Sequence, residues 1–171
     1  MKNIVLTGFM GTGKTTAGKI LAKELGMKLV DVDEEIESET GMTICDIFKE
    51  HGEPSFRDKE TRMAKKISSG GGGGLVISTG GGIVLREENI ACLRQNGLIV
   101  CLMATPETIL QRTKDSTDRP LLKVENPYEK IKELLNQRDE KYRNADITIE
   151  TDGKSPMEIA QEIIEHWKAV R

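Results

Sequence analysis

Gly8-Phe9-Met10-Gly11-Thr12-Gly13-Lys14-Thr15-Thr16 is the stretch from which the rest of the chain can be read. The apolar run Ile4-Val5-Leu6 in front of it predicts a short buried strand. Behind it, Ala17, Ile20, Leu21 and Ala22 mark one face of a helix over residues 14–25. Strand, glycine-rich turn and helix at the spacing GxxxxGK[ST] form the P-loop pattern. Glycines at 8, 11 and 13 let the backbone curl so that its N–H groups converge on an anion, and the positive end of the helix adds to that field. Lys14 is expected to place a point charge on the outer phosphates of a nucleotide, and the Thr15 hydroxyl to ligate Mg²⁺.

The chain of 171 residues suits a single domain, since about 100–200 residues is usual for one. A net charge of −3 points to neither a nucleic acid nor a membrane surface as partner. No apolar run nears the roughly 18 residues a bilayer-spanning helix requires. The first strand begins almost at once, which leaves no room for a signal peptide. Cys45, Cys92 and Cys101 form no CxxC and are expected to be free thiols in a reducing, cytoplasmic setting. No long apolar stripe is left over once a core is assigned, so a monomer is expected.

Working outward from the P-loop, Gly26 should end the first helix. Residues 29–33 read as a second strand ending in Asp31 and Asp33, followed by a short acidic helix over 34–40 that Gly41 closes. Thr43 can cap a further helix, which Gly52 interrupts and Pro54 restarts, running to about residue 68. Five consecutive glycines, 70–74, form a flexible link. Residues 75–78 form a buried strand leading into Gly80, Gly81 and Gly82. Then follow a helix over about 86–95, a strand over 98–103, a helix over 106–112 and a polar surface loop over 114–126. A long helix lined by Ile131, Leu134, Leu135 and Tyr142, a strand at 147–149 and a closing helix from Pro156 complete the chain. Strands alternating with helices imply a parallel sheet covered on both faces, with ligands at the carboxyl ends of its strands. The P-loop, Asp31 with Asp33, and the three glycines at 80–82 all fall there. On a strand, Asp31 and Asp33 would face the same side.

A P-loop alone leaves the reaction open. A GTPase would need an NKxD and a DxxG motif, and a motor ATPase an apolar strand ending in Asp-Glu; none is found. An arginine-bearing loop near Arg119 suits phosphate transfer to a small acceptor, where a lid must exclude water.

The segments GFMGTGKTT, DVDEEIE, GMTICDIF, GEPSFRDKE, STGGG, DRPLL and QRDEKYR, in this order and spacing, resemble the shikimate kinase family from residue 8 to about 156. The resemblance implies a three-layer, nucleoside-monophosphate-kinase-like α/β fold: a five-stranded parallel sheet in the order 2-3-1-4-5, flanked by helices. It places an acceptor-binding region at about 33–61 and a lid at about 113–125. The implied reaction is transfer of phosphate from ATP, with Mg²⁺, to the 3-hydroxyl of shikimate, on the route to chorismate and aromatic amino acids. The tract at 70–74 is longer than that pattern leads one to expect.

Carried over residue by residue, the resemblance gives ATP contacts to Gly11, Thr12, Gly13, Lys14, Thr15 and Thr16, and packing on adenine to Arg112, with the loop 152–156 bordering it. Asp31 joins Thr15 in the magnesium site. Asp33 contacts the acceptor's hydroxyls and takes part in catalysis with Lys14 and the lid residue Arg119. Arg57 and Arg138 form the clamp on the acceptor carboxylate, Glu60 steadies Arg57, and Phe56 supplies an apolar wall. Gly80, Gly81 and Gly82 bring backbone close to the acceptor. Tyr142 and Arg143 read as structural, His51 and His166 are given no catalytic role, and Trp167 reads as a core or rim residue. Another small-acceptor P-loop kinase, acting on gluconate or a nucleoside monophosphate, and a catalytically silent nucleotide-binding module are the alternatives.

Overall fold

The computed structural model describes residues 2–70, 73–114 and 120–170. Its centre is β1 (Asn3–Thr7), every residue of which is buried. A strand covered on both faces has no polar side to present, which is why Ile4-Val5-Leu6 reads as an unbroken apolar run. The P-loop leads from β1 into α1 (Lys14–Leu25), which Gly26 closes in the left-handed conformation. β2 (Lys28–Asp31) follows, then α2 (Val32–Thr40) and α3 (Ile44–Ser69), which bends at Gly52, where φ is 76°. The bend falls where glycine was expected to interrupt the helix, two residues before Pro54.

β3 (Leu75–Ser78), α4 (Glu87–Asn96), β4 (Gly97–Met103) and α5 (Pro106–Thr113) come next. α6 (Pro127–Arg143), β5 (Ile147–Glu150) and α7 (Pro156–Ala169) complete the order. Short 3₁₀ turns at Ile83–Leu85 and Pro120–Leu122 sit beside the cavity, the second within the stretch expected to be a surface loop with lid character. The five strands are all parallel, in the order β2-β3-β1-β4-β5. Every strand therefore ends at the same edge of the sheet.

Alternating side chains divide the core in two. Val5, Ile77, Ile99 and Cys101 face the layer holding Ile36, Phe56, Leu93, Leu134 and Tyr142. Ile4, Leu6, Val76, Val100 and Leu102 face Leu21 of α1 and Ile159, Ile163 and Trp167 of α7. Each fully buried aliphatic side chain contributes about 1.5–3 kcal/mol, so these two layers fix the sheet on which the loops stand. Trp167 belongs to the core, and the three cysteines are free thiols. No helix among the described residues is long and apolar enough to cross a membrane.

Candidate active site

The carboxyl ends of β1, β2 and β3 open into a cavity of about 970 Å³, lined at one end by the P-loop and at the other by Asp33, Arg57, Glu60 and Arg138. At the P-loop end, Gly8, Gly11 and Gly13 have φ of 129°, 79° and 94°, values that suit glycine alone in practice. Gly8 is also sterically required, because a Cβ there would lie 2.2 Å from the carbonyl oxygen of Leu102. Lys14 is nearly buried and donates from Nζ to the carbonyls of Gly8 and Phe9, both at 2.8 Å. The loop thus holds its cation across its own mouth. Thr12 caps the curl by donating to Phe9 O at 2.8 Å, and Thr16 faces the cavity.

Thr15 Oγ1 donates to Asp31 Oδ2 at 2.9 Å, with Ser78 Oγ 3.1 Å away. A hydroxyl has a single hydrogen to give, so Ser78 is the donor to Thr15. These hard oxygens at the head of the P-loop helix match the few protein ligands Mg²⁺ takes when substrate phosphates supply the rest. Among the described residues no group of three or more His, Cys, Asp or Glu forms a cage that would suggest another metal. Arg112 reaches back from α5, donating to Gly11 O at 3.3 Å and to Thr151 Oγ1 and O at 3.1 Å each. With Lys154, Pro156 and Ile159 it borders the same end of the cavity.

The geometry of Asp31 and Asp33 differs from the sequence expectation. They do not share the face of one strand: β2 stops at Asp31, and Asp33 lies in the first turn of α2. Asp31 is the N-cap of that helix, its Oδ1 accepting from the Asp33 N–H at 3.1 Å while Oδ2 holds Thr15. Aspartate is among the preferred capping residues, and the cap ends the strand two residues early. Both carboxylates still line the cavity, but Asp31 looks to the P-loop and Asp33 to the opposite end.

At that far end, Arg57 is nearly buried and held by two carboxylates of its own helix. Glu60 Oε2 accepts from Nη1 at 2.6 Å, and Glu53 Oε1 accepts from Nη2 at 2.6 Å and Nε at 3.1 Å. Of the five N–H donors in a guanidinium, this leaves one on Nη1 and one on Nη2. The planar group lies flat on Gly82, where a Cβ would fall 2.0 Å from Nη1. A Cβ on Gly80 would stand 2.9 Å from both Asp33 Oδ1 and Glu60 Oε1, so these two acids meet across that glycine. Burial pushes the Glu60 carboxyl up to about 7; Arg57 opposes the rise and the charge of Asp33 adds to it.

Arg138 is equally buried yet forms no ion pair among the described residues. Its guanidinium carbon lies 5.8 Å from the centre of the Phe9 ring, and Nη1 is 3.4 Å from Gly81 O. The wall between is apolar: Phe56 and Phe48 pack with ring centres 5.0 Å apart, beside Ile44 and Leu121. The structure therefore brings Asp33, Arg57, Glu60, Gly80–82 and Arg138 together, although they come from separate parts of the chain. Gly81 has a further constraint, since a Cβ there would first meet the P-loop backbone, 3.2 Å from Met10 N. Arg119 lies outside the described residues; Leu121, just beyond it, lines the cavity.

Sequence reasoning missed two residues of this end. Glu53 precedes Arg57 by four positions in a helix, a spacing that signals an ion pair. Tyr142, read as structural, places its hydroxyl 2.6 Å from Gly81 O. Ser78 went unnoticed at the other end; it lies next to Thr79 at a strand's carboxyl end, where ligand contacts gather.

A P-loop at one end of a cavity and a buried pair of arginines at the other define a kinase for a small anionic acceptor. Comparison with known proteins makes the class specific. The family model for shikimate kinase matches residues 10–168. The shikimate kinase of Thermodesulfovibrio yellowstonii is 53% identical over 168 residues, covering 98% of this chain and 96% of that protein. That of Caldanaerobacter subterraneus subsp. tengcongensis is 49% identical over 164 residues, covering 96% of this chain and 95% of its own. The solved structure of the Acinetobacter baumannii shikimate kinase in complex with shikimate superimposes with a TM-score of 0.95 at 42% identity, covering 100% of this chain and 95% of that one. The chain belongs to the shikimate kinase family.

Proposed function

We infer that this protein transfers the γ-phosphoryl group of ATP to the 3-hydroxyl of shikimate, giving shikimate 3-phosphate and ADP. The observation that carries the reading is the single cavity with a phosphate cradle at one end and Arg57, Arg138 and Asp33 at the other. Shikimate is a small hydroxy acid, and its carboxylate suits the donors that Arg57 has left over and the guanidinium of Arg138, which forms no ion pair among the described residues. Phe56 and Phe48 give the ring carbons an apolar wall.

In the transfer, the 3-hydroxyl oxygen bonds to the γ-phosphorus while the bond from that phosphorus to the β–γ bridging oxygen breaks. Asp33 orients the hydroxyl and receives its proton. Gly11, Thr12, Gly13 and Thr16 cradle the phosphates, and Arg112 covers the adenine. Lys14 turns from the Gly8 and Phe9 carbonyls to the phosphate oxygens when nucleotide arrives. Thr15 and Asp31, the latter through water, would hold Mg²⁺, which would supply positive charge to offset the charge of the phosphates during transfer. Arg119, which lies outside the described residues, is assigned by the family resemblance to stabilising charge as it develops on the phosphates. Gly81 offers backbone to the acceptor, with Gly80 and Gly82 giving the clearance that Asp33 and Arg57 require. The protein works as a cytoplasmic monomer in the biosynthesis of aromatic amino acids.

An assay of ADP release with Mg-ATP and, separately, shikimate, gluconate and mononucleotides tests the reading. Release that depends on shikimate alone supports it, whereas release with gluconate or a mononucleotide in its place contradicts it.

A further inference from the structure

We propose that Tyr142 is a positioning residue for the acceptor site: by donating its hydroxyl to the Gly81 carbonyl, it leaves the Arg138 guanidinium available to the acceptor's carboxylate. The inference rests on the assignment of Arg138 made above. Arg138 and Tyr142 lie four residues apart on α6 and so share a face of the helix. Both point at the same oxygen. Tyr142 Oη is 2.6 Å from Gly81 O, and Arg138 Nη1 is 3.4 Å away. The first is a short, strong bond; the second is at the edge of what counts as one.

The Gly81 carbonyl is half-buried in the cavity wall, and a carbonyl partly withdrawn from water is stabilised by a protein donor. Tyr142 meets that need at Gly81. Its ring is fully buried, and burial pushes the phenol up to about 12, so it remains a neutral donor throughout the working pH range. Without the hydroxyl, Arg138, which already reaches Gly81 O at 3.4 Å, would close on it and commit its fork to the protein instead of the ligand. Room between the turn and the P-loop is small, since even a single Cβ on Gly81 would come 3.2 Å from Met10 N. The same phenol ties the helix that carries Arg138 to the glycines on which Arg57 rests.

The test is Tyr142→Phe, which keeps the ring and removes only the hydroxyl. Calorimetric Kd values for shikimate and for Mg-ADP, steady-state kinetics and a thermal melt are compared with the wild type, and again in an Arg138→Ala background. One lost hydrogen bond predicts a roughly five- to tenfold rise in the Kd and KM for shikimate. Mg-ADP affinity and kcat at saturating shikimate should stay within about twofold, about the measurement scatter on this scale. In the Arg138→Ala background the same change should add less than about twofold, because Tyr142 acts through Arg138. An unchanged Kd for shikimate, an equal loss for both ligands, the full effect persisting without Arg138, or loss of a cooperative melt would each overturn the proposal. If Arg138→Ala alone leaves shikimate binding intact, the assignment of Arg138 fails first and takes the proposal with it.

Discussion

The two ends of the cavity are built by different means. The P-loop end is made almost wholly by one continuous stretch, residues 8–16, whose backbone does the binding and whose cation is stored on its own carbonyls. The acceptor end is made by side chains from α2, α3 and α6 and by the backbone of the glycine turn, with Arg57 held by Glu60 and the turn by Tyr142. Within it, the two arginines differ again. Arg57 is paired with Glu53 and Glu60 and fixed in plane; Arg138 forms no ion pair among the described residues and leans on a ring and a carbonyl. One arginine thus supplies geometry and the other supplies field. A site for phosphate can be local because every nucleotide offers the same anion, whereas a site for one particular acid has to be assembled.

This contrast can be broken by substitution, and the largest effect should come at Asp33. Asp33→Ala should lower kcat with shikimate by about 10²–10⁴-fold, the usual range for a group that manages the transferred proton, while Mg-ADP affinity measured by calorimetry hardly moves. Equal loss of nucleotide affinity would mean that Asp33 serves the other end. Next is Arg138→Lys, which keeps the charge but loses the planar fork. The KM for shikimate should rise about tenfold, the value of one charge-assisted bond, and an unchanged KM would remove Arg138 from the acceptor.

Glu60 sharpens the comparison through pH. Its folded-state carboxyl is raised from 4.5 to about 7, chiefly by burial, with Arg57 opposing and Asp33 reinforcing. A raised acid stabilises the fold fully below its unfolded value, and that contribution is lost as pH rises through the folded one. The stability of the wild type relative to Glu60→Gln, followed by urea denaturation, should therefore fall between about pH 4.5 and 7. A flat difference would place Glu60 in a more solvated setting than the structure gives it. The smallest effect belongs to Glu53→Gln. That carboxylate is 43% exposed and four residues from its partner, a pairing worth only about 0.3–0.5 kcal/mol. The KM for shikimate should rise about twofold, and a tenfold rise would make Glu53 as important as the buried Glu60.

What could be read in the sequence follows the same division. The P-loop was legible from spacing alone, because its chemistry resides in one stretch with a strand before it and a helix after it. The parallel sheet was legible from the alternation of apolar runs with helical faces. Arg57 and Arg138 carry no local mark of their shared task; only the family resemblance pairs them, since α3 and α6 come to the same cavity through the tertiary fold. The error at Asp31 and Asp33 has a local cause: periodicity sees apolar Leu29, Val30 and Val32 as one strand, but the Asp31 side chain captures the Asp33 N–H and starts a helix. Gly82 was legible as part of a tight turn, but not as the floor beneath a guanidinium, because spacing does not reveal what a missing side chain makes room for.

The most direct test of the account is a crossed calorimetric titration of Lys14→Ala and Arg138→Ala, each with Mg-ADP and with shikimate. The account predicts opposite losses: Lys14→Ala binds shikimate but little Mg-ADP, and Arg138→Ala binds Mg-ADP but little shikimate. If either folded variant loses both ligands to the same extent, or neither, the division of the cavity into a phosphate end and an acid end is wrong.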